Sequence, residues 1–355
     1  MTETKLNDGT PFGSAHGDDG TIRFDVVGIG NALVDVLVNE SDEKVDQLGM
    51  IKGAMNLVDE ARSDEIYAAV GPGVEISGGS VSNSMVGIAN FGGRAAYMGK
   101  VRNDQLGKIF RHDISANGVD FSTPAAEGGP STGCCLILVT PDAERTMNTY
   151  LGASVHFGPA DVDQTVIASS KILFLEGYLF DPPEAQEAFR VAARMAHEAG
   201  RTVAMTLSDS FCVERHREAF VDMVDNHVDV LFANEHELQA LYQVDDLDTA
   251  IEIVRGKCQI VAVTRSSAGS TIVTADALVA VPPHHVDHVV DTTAAGDLYA
   301  AGVLYGLAAG HDLLTCGRFG SAAAAEVITH MGARPVTPLV ELAAQVLATA
   351  DDTAS

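Results

Sequence analysis

Val290-Asp291-Thr292-Thr293-Ala294-Ala295-Gly296-Asp297-Leu298-Tyr299 sets small residues directly before an acid that opens an apolar, Ala-rich segment. A helix starting near Ala295 and running to about Gly310 leaves the amides of Ala294, Ala295, Gly296 and Asp297 as unpaired first donors, with no bulky side chain over them. Such a turn is an anion hole. Asp297 falls in the first turn, where the helix dipole and free amides favour its ionised form and suit it to accept a proton from an alcohol beside a bound phosphate. An Asp-capped structural helix is the plain alternative.

Further segments carry chemistry at strand-to-helix junctions. Gly28-Ile29-Gly30-Asn31-Ala32-Leu33-Val34-Asp35 follows a strand, but the third glycine of a dinucleotide-binding loop would fall at Leu33, so that reading fails. Ser77-Gly78-Gly79-Ser80-Val81-Ser82-Asn83-Ser84 places glycines where a ligand approaches the backbone closely, unless the turn is purely structural. Asn234-Glu235-His236-Glu237 follows the strand ending at Phe232 and opens a helix, which capping alone also explains; His236 reads as solvated. Tyr178 and Phe211 each lie just past a buried strand, where aromatic faces suit a flat purine, although core packing accounts for a single aromatic equally well. No Gly-x-x-x-x-Gly-Lys-Ser/Thr loop is present.

The elements that must position these residues alternate. Phe24–Gly30, Tyr97–Val101, Ile172–Leu175, Thr202–Leu207, Val228–Phe232 and Ile260–Thr264 read as buried strands. Helical spacing appears after Ser80, a plausible N-cap, then over Leu106–Ile114, Pro183–Ala199, Val213–Asp225 and Glu235–Tyr242. This order builds an α/β fold, a doubly wound, mostly parallel sheet covered on both faces. Alternating patterns near 33–58 and 121–151, with a hairpin at Pro141-Asp142, add a small β-sheet lid. We divide the chain into a flexible leader over 1–20, an α/β domain over 21–340, and a helix end and frayed tail over 341–355.

Composition narrows the partners. Twenty-two Lys and Arg against 49 Asp and Glu give a net charge of -27, which opposes binding to nucleic acid or anionic membrane. A polyanionic ligand must therefore be met by local features: helix N-termini, Mg²⁺ and single arginines. Five scattered cysteines, without metal-ligand spacing, read as reduced thiols and point to the cytoplasm. Monomer and homodimer are both compatible with the sequence.

The Asp291–Asp297 segment resembles the Asp-Thr-x-Gly-Ala-Gly-Asp signature of the ribokinase-like (PfkB) family of sugar and nucleoside kinases. The resemblance covers approximately residues 24–335 and implies the doubly wound core with its β lid. Ala294 stands where most members carry glycine; we expect it at negative φ, leaving Gly296 free for positive φ. Gly-Gly-Ser-x-x-Asn-Ser, with the earlier Gly-Asn-x-x-x-Asp, looks most like adenosine kinases and their bacterial relatives. The resemblance implies an ATP-dependent kinase acting on a primary hydroxyl, adenosine first and ribose, fructose or a related sugar next. Asp297 is then the base, with Ala294, Ala295, Gly296 and Arg145 at the transferred phosphate; a lid salt bridge is the other role open to Arg145. Asn31, Asp35, Gly79, Ser80, Asn83, Tyr178 and Phe211 fall to the acceptor, a carboxylate at Asp35 suiting a vicinal diol. Asn234, Thr264, Ser266, Gly269 and Thr292 fall to the nucleotide, Ser266 replacing a family glycine. Glu237 falls to Mg²⁺ through its waters, and Asp291 and Thr293 to the carbonyl donors of a monovalent cation such as K⁺. A non-catalytic binding protein on the same fold is the rival, weakened because binding alone needs no base.

Overall fold

The computed structural model describes residues 22–142 and 144–353. The leader read over 1–20 lies outside them. In chain order the strands are β1 (Phe24–Ile29), β2 (Leu33–Asn39), β3 (Met55–Leu57), β4 (Val74–Gly78), β5 (Ala95–Met98), β6 (Val119–Asp120), β7 (Thr132–Val139), β8 (Arg145–Gly152), β9 (Ser170–Glu176), β10 (Thr202–Thr206), β11 (Val230–Asn234), β12 (Ile260–Thr264), β13 (Ser270–Val273) and β14 (Leu278–Val281). Nine of them form one sheet in the order β14-β13-β12-β11-β10-β9-β1-β5-β6, in which β13 pairs antiparallel with both β12 and β14 and every other pair is parallel. The remaining five form the lid, β3-β8-β7-β2-β4.

The buried strands are apolar throughout because both faces are covered. Val26, Ile172 and Phe174 join one apolar layer with the helices Ser80–Asn90, Ala295–Ala309 and Leu313–Val327. Val27, Leu173 and Leu175 join the other with Pro183–Glu198 and Glu235–Tyr242. The helix Ala295–Ala309 is apolar all round, as its place between two other helices requires. Its small residues let neighbours close in: a Cβ on Gly302 would come 2.5 Å from the backbone of Phe319 and Gly320. The helix that carries Asp297 is thereby held rigidly from behind.

Three elements differ from expectation. The lid takes in β4, paired antiparallel to β2, so it reaches beyond the two segments read as lid. The helix expected over Val213–Asp225 is broken at His216 (φ -124°), whose ring bonds Asp181 at 2.7 Å, into Ser210–Arg215 and Arg217–Asn226. The helix Leu339–Thr353 includes the helix end read from 341 and runs on into the residues read as a frayed tail. The five cysteines are buried and free. Among the described residues no helix is long and apolar enough to cross a membrane.

Candidate active site

Parallel strands deliver their carboxyl ends to one place. Asn31 follows β1, while Glu176, Thr206, Asn234 and Thr264 end β9, β10, β11 and β12, and all five line one cavity of about 670 Å³. The sheet order turns back at β1, which lies between β9 and β5, the topological switch at which doubly wound sheets open a crevice. Lid residues Asp35, Cys135, Ile137, Arg145 and Met147 form its other wall.

Asp297 sits where the core and the Ser80 helix meet. Its carboxylate accepts from Ser80 Oγ at 2.6 Å and from Asn83 Nδ2 at 2.9 Å, and Ser84 Oγ donates to its carbonyl at 2.9 Å. Burial pushes the carboxyl above the ordinary range, and the Ser80 and Asn83 donors and the Arg334 charge pull against it. A Cβ added at Gly296 would meet nothing within 4 Å, so the room over this turn belongs to whatever binds there. Ala295 N–H reaches back to Thr292 O at 3.3 Å, leaving the following amides at the helix start without intrahelical acceptors.

The backbone of this turn corrects the sequence expectation. Ala294, not Gly296, is left-handed, at φ 60° and ψ 8°, because it is the residue before the helix begins; Gly296 is already helical. That is the position where most family members carry glycine. A left-handed alanine costs about 1–2 kcal/mol, and glycine returns part of that as unfolded-chain entropy. Ala294→Gly is therefore expected to raise stability by up to about 1 kcal/mol in urea unfolding; an unchanged or lower midpoint refutes it.

Ser80 is not the N-cap. Gly79 holds that place at φ 99°, and a Cβ there would lie 2.1 Å from Asn31 O. The cap is supplied from β9: Glu176 accepts from Val81 N–H at 2.9 Å, and from the amide and Nδ2 of Asn31 at 3.0 and 2.8 Å. Ser80 Oγ is thus free to reach Asp297. Asn31 is satisfied internally, since Ser154 Oγ also donates to its Oδ1 at 2.8 Å. Asn83 Oδ1, by contrast, is buried without a partner. No described group donates to Asp35, and its neighbour Gly78 leaves room for it: a Cβ there would come 2.4 Å from the carboxylate. Burial pushes Asp35 up to about 6, against the charges of Arg334 and Arg145.

At the turn that leads into Asp297, Arg145 takes the salt-bridge alternative. Its Nη1 donates to Asp291 and, at 2.6 Å, to Thr293 Oγ1, with side chains only 8% and 7% exposed for the ion pair, while Nε stays unpartnered. Thr293 N–H and Gly332 N–H also donate to Asp291. Asn234 and Glu237 form a reciprocal capping box, and burial pushes Glu237 up to about 7. Both line the cavity, as do Thr264 and Thr292. Ser266 and Gly269 do not line it; they shape the turn after β12 at φ 48° and 82°, the left-handed geometry that explains the family's glycine at Ser266. Tyr178 and Phe211 line the cavity at 40% and 70% exposure, which excludes core packing for either.

A profile of the pfkB carbohydrate kinases matches residues 44–339, most of the chain. This protein belongs to the pfkB family of carbohydrate kinases. The adenosine kinase of Sinorhizobium meliloti is 49% identical, with a TM-score of 0.84 over 91% of this chain and 99% of that one. A probable sugar kinase from Rhizobium etli CFN 42 is 47% identical, also at 0.84, over 91% and 98%. A 5-dehydro-2-deoxygluconokinase of Geobacillus thermodenitrificans is 26% identical over 74% of this chain and 82% of its own. The kinase core thus carries relatives named for both nucleoside and sugar acceptors.

Two site residues escaped the sequence reading. Glu176 directly precedes Gly177-Tyr178, and nothing in the sequence signals a carboxylate that caps a helix at Val81, 95 residues earlier. Arg334, in Met331-Gly332-Ala333-Arg334-Pro335, is the second; its Nη2 donates to the carbonyl of Ser77 and to Ser77 Oγ at 2.8 Å.

Proposed function

We propose that this kinase transfers the γ-phosphate of ATP to the primary 5′-hydroxyl of adenosine, giving AMP and ADP. The observation that carries the chemistry is Asp297, held by Ser80 and Asn83 at a helix start with open room over Gly296. Asp297 accepts the hydroxyl proton as that oxygen forms its bond to the γ-phosphorus and the bond to the β-phosphate oxygen breaks. The amides of the Ala294–Asp297 turn that have no acceptor of their own, Gly296 and Asp297 among them, meet the charge on the phosphoryl group. Arg145 lines the same cavity, its charge balanced by Asp291, and its unpartnered Nε is a donor it has left for a phosphate. Asp35 and the orphan Oδ1 of Asn83 accept from ribose hydroxyls.

Glu237 has no cationic partner among the described residues, although burial penalises its charge, which fits a cation held through water. Mg²⁺ there would screen the phosphates. A monovalent cation such as K⁺ would rely on the carbonyl oxygens of Asp291 and Thr293, since their side chains are committed to Arg145. Asn234, Thr264 and Thr292 are assigned to the nucleotide, with Ser266 and Gly269 shaping its loop.

Adenosine is favoured over a bare sugar because Tyr178 and Phe211 present aromatic surface to the cavity and the Sinorhizobium meliloti relative is an adenosine kinase. A sugar acceptor is the second reading, favoured by the 5-dehydro-2-deoxygluconokinase relative. A phosphorylation screen with ATP and Mg²⁺ across adenosine, other nucleosides, ribose and fructose decides. Turnover on ribose or fructose but not adenosine overturns the nucleoside reading, and no turnover on any acceptor overturns the kinase chemistry.

Acceptor affinity is expected to depend on pH through Asp35. Its carboxyl, raised to about 6, must be ionised to accept from both hydroxyls of a diol, so affinity is full above that value and falls as pH drops through it. One unit below, binding weakens about tenfold, and Asp35→Asn removes the dependence along with most of the affinity. Calorimetry over this range showing a flat wild-type profile sinks the assignment.

A further inference from the structure

Arg334 stands in the loop between the helices Leu313–Val327 and Leu339–Thr353. It reaches across to Ser77, the residue that precedes the Gly78-Gly79 turn, donating to its carbonyl and hydroxyl. Ser77 passes the contact on: its hydroxyl and amide donate to Asp113 at 2.5 and 2.8 Å. Two other guanidinium nitrogens, Nε and Nη1, are buried with no hydrogen-bond partner, and no described carboxylate lies at ion-pair distance. A buried cation without a contact partner is costly unless surrounding carboxylates compensate its charge at longer range.

Three carboxylates do so, all placed around the turn that Arg334 grips. Asp113 hangs on Ser77 itself. Asp35 lies against Gly78, one residue on. Asp297 is held by Ser80 and Asn83, at the start of the helix that Gly79 caps. Arg145, the other buried cation near Asp35, is instead neutralised by direct contact with Asp291. We propose that Arg334 is a positioning residue of the phosphotransfer site, clamping the Ser77–Ser80 turn to the core and facing Asp35 and Asp297 with a guanidinium that no described carboxylate contacts directly. The roles given to those two acids rest on the kinase reading above; their charge state does not.

The guanidinium opposes the burial that raises both carboxyls. The other titratable and charged groups facing them are Arg145, Glu176, Tyr178, Cys134 and Cys135, none of which changes in the test. The readout is the pH titration of the aspartate carboxyl ¹³C signals in the full-length protein, assigned with Asp35→Asn and Asp297→Asn. Arg334→Gln is expected to move both midpoints up by on the order of one pH unit and Arg334→Lys to hold them near wild type. Arg334→Met is the second neutral variant should the amide impair folding. The acid limb of kcat/KM should move with the midpoints. Unmoved midpoints in a folded neutral variant, or a lysine variant displaced as far as the glutamine one, overturn the proposal and leave Arg334 a packing residue. Failure of the wild type to phosphorylate any acceptor would instead strike the kinase reading, and the NMR midpoints would still judge Arg334.

Discussion

Asp297→Asn is expected to lower kcat by about 10²–10⁴-fold, the usual worth of a positioned general base, while fold and ligand affinity survive. The amide matches the carboxylate in shape, and its neighbours can accommodate it. Asn83 Nδ2 can keep donating to the one oxygen of the new side chain, which leaves its own buried Oδ1 to the ligand. Ser80 Oγ, a hydroxyl that accepts as readily as it donates, takes the new N–H. What is lost is a site for the hydroxyl proton. Steady-state rates with ATP and the acceptor identified by the screen, beside calorimetric affinities, check this. Wild-type turnover in the purified variant would remove Asp297 from the chemistry.

The second large effect concerns the acceptor. Changing Tyr178 and Phe211 together to alanine is expected to weaken adenosine by about 1–3 kcal/mol, or about 5–150-fold, the range measured for losing aromatic stacking on a base. Stability should change little, because both rings already face the cavity at 40% and 70% exposure. Ribose affinity should hold, since no base is there to stack. An equal loss for ribose would make the aromatics wall rather than base-binding surface, and an undiminished adenosine affinity would move the purine elsewhere.

Local patterns carried much of this. A helix beginning at Ala295, a buried strand ending at Thr264, and the capping signal of Asn234 with Glu237 each depend on neighbours in sequence, through periodicity and unpaired terminal amides. They held because the same short-range forces act in the folded chain. The conformation of Ala294 was misread for a related reason: its side chain argued for negative φ, but the place where the helix starts, one residue later, imposed the opposite sign.

Contacts between distant segments were another matter. Arg145 has two open roles in sequence, and only the folding of the β7–β8 hairpin over the core brings it to Asp291 and Thr293. Glu176 capping Val81, and Arg334 gripping Ser77 from 257 positions away, leave no periodic trace because a single side chain meeting a single partner has no repeat to read. The sequence by itself determined the family, the α/β alternation and the acid at the helix start, since each is written in contiguous residues. Which carboxylates share one cavity, which cations balance them and which of their atoms stay free for a ligand were decided by the tertiary structure, because burial and long-range charge exist only once strands far apart in the chain lie side by side.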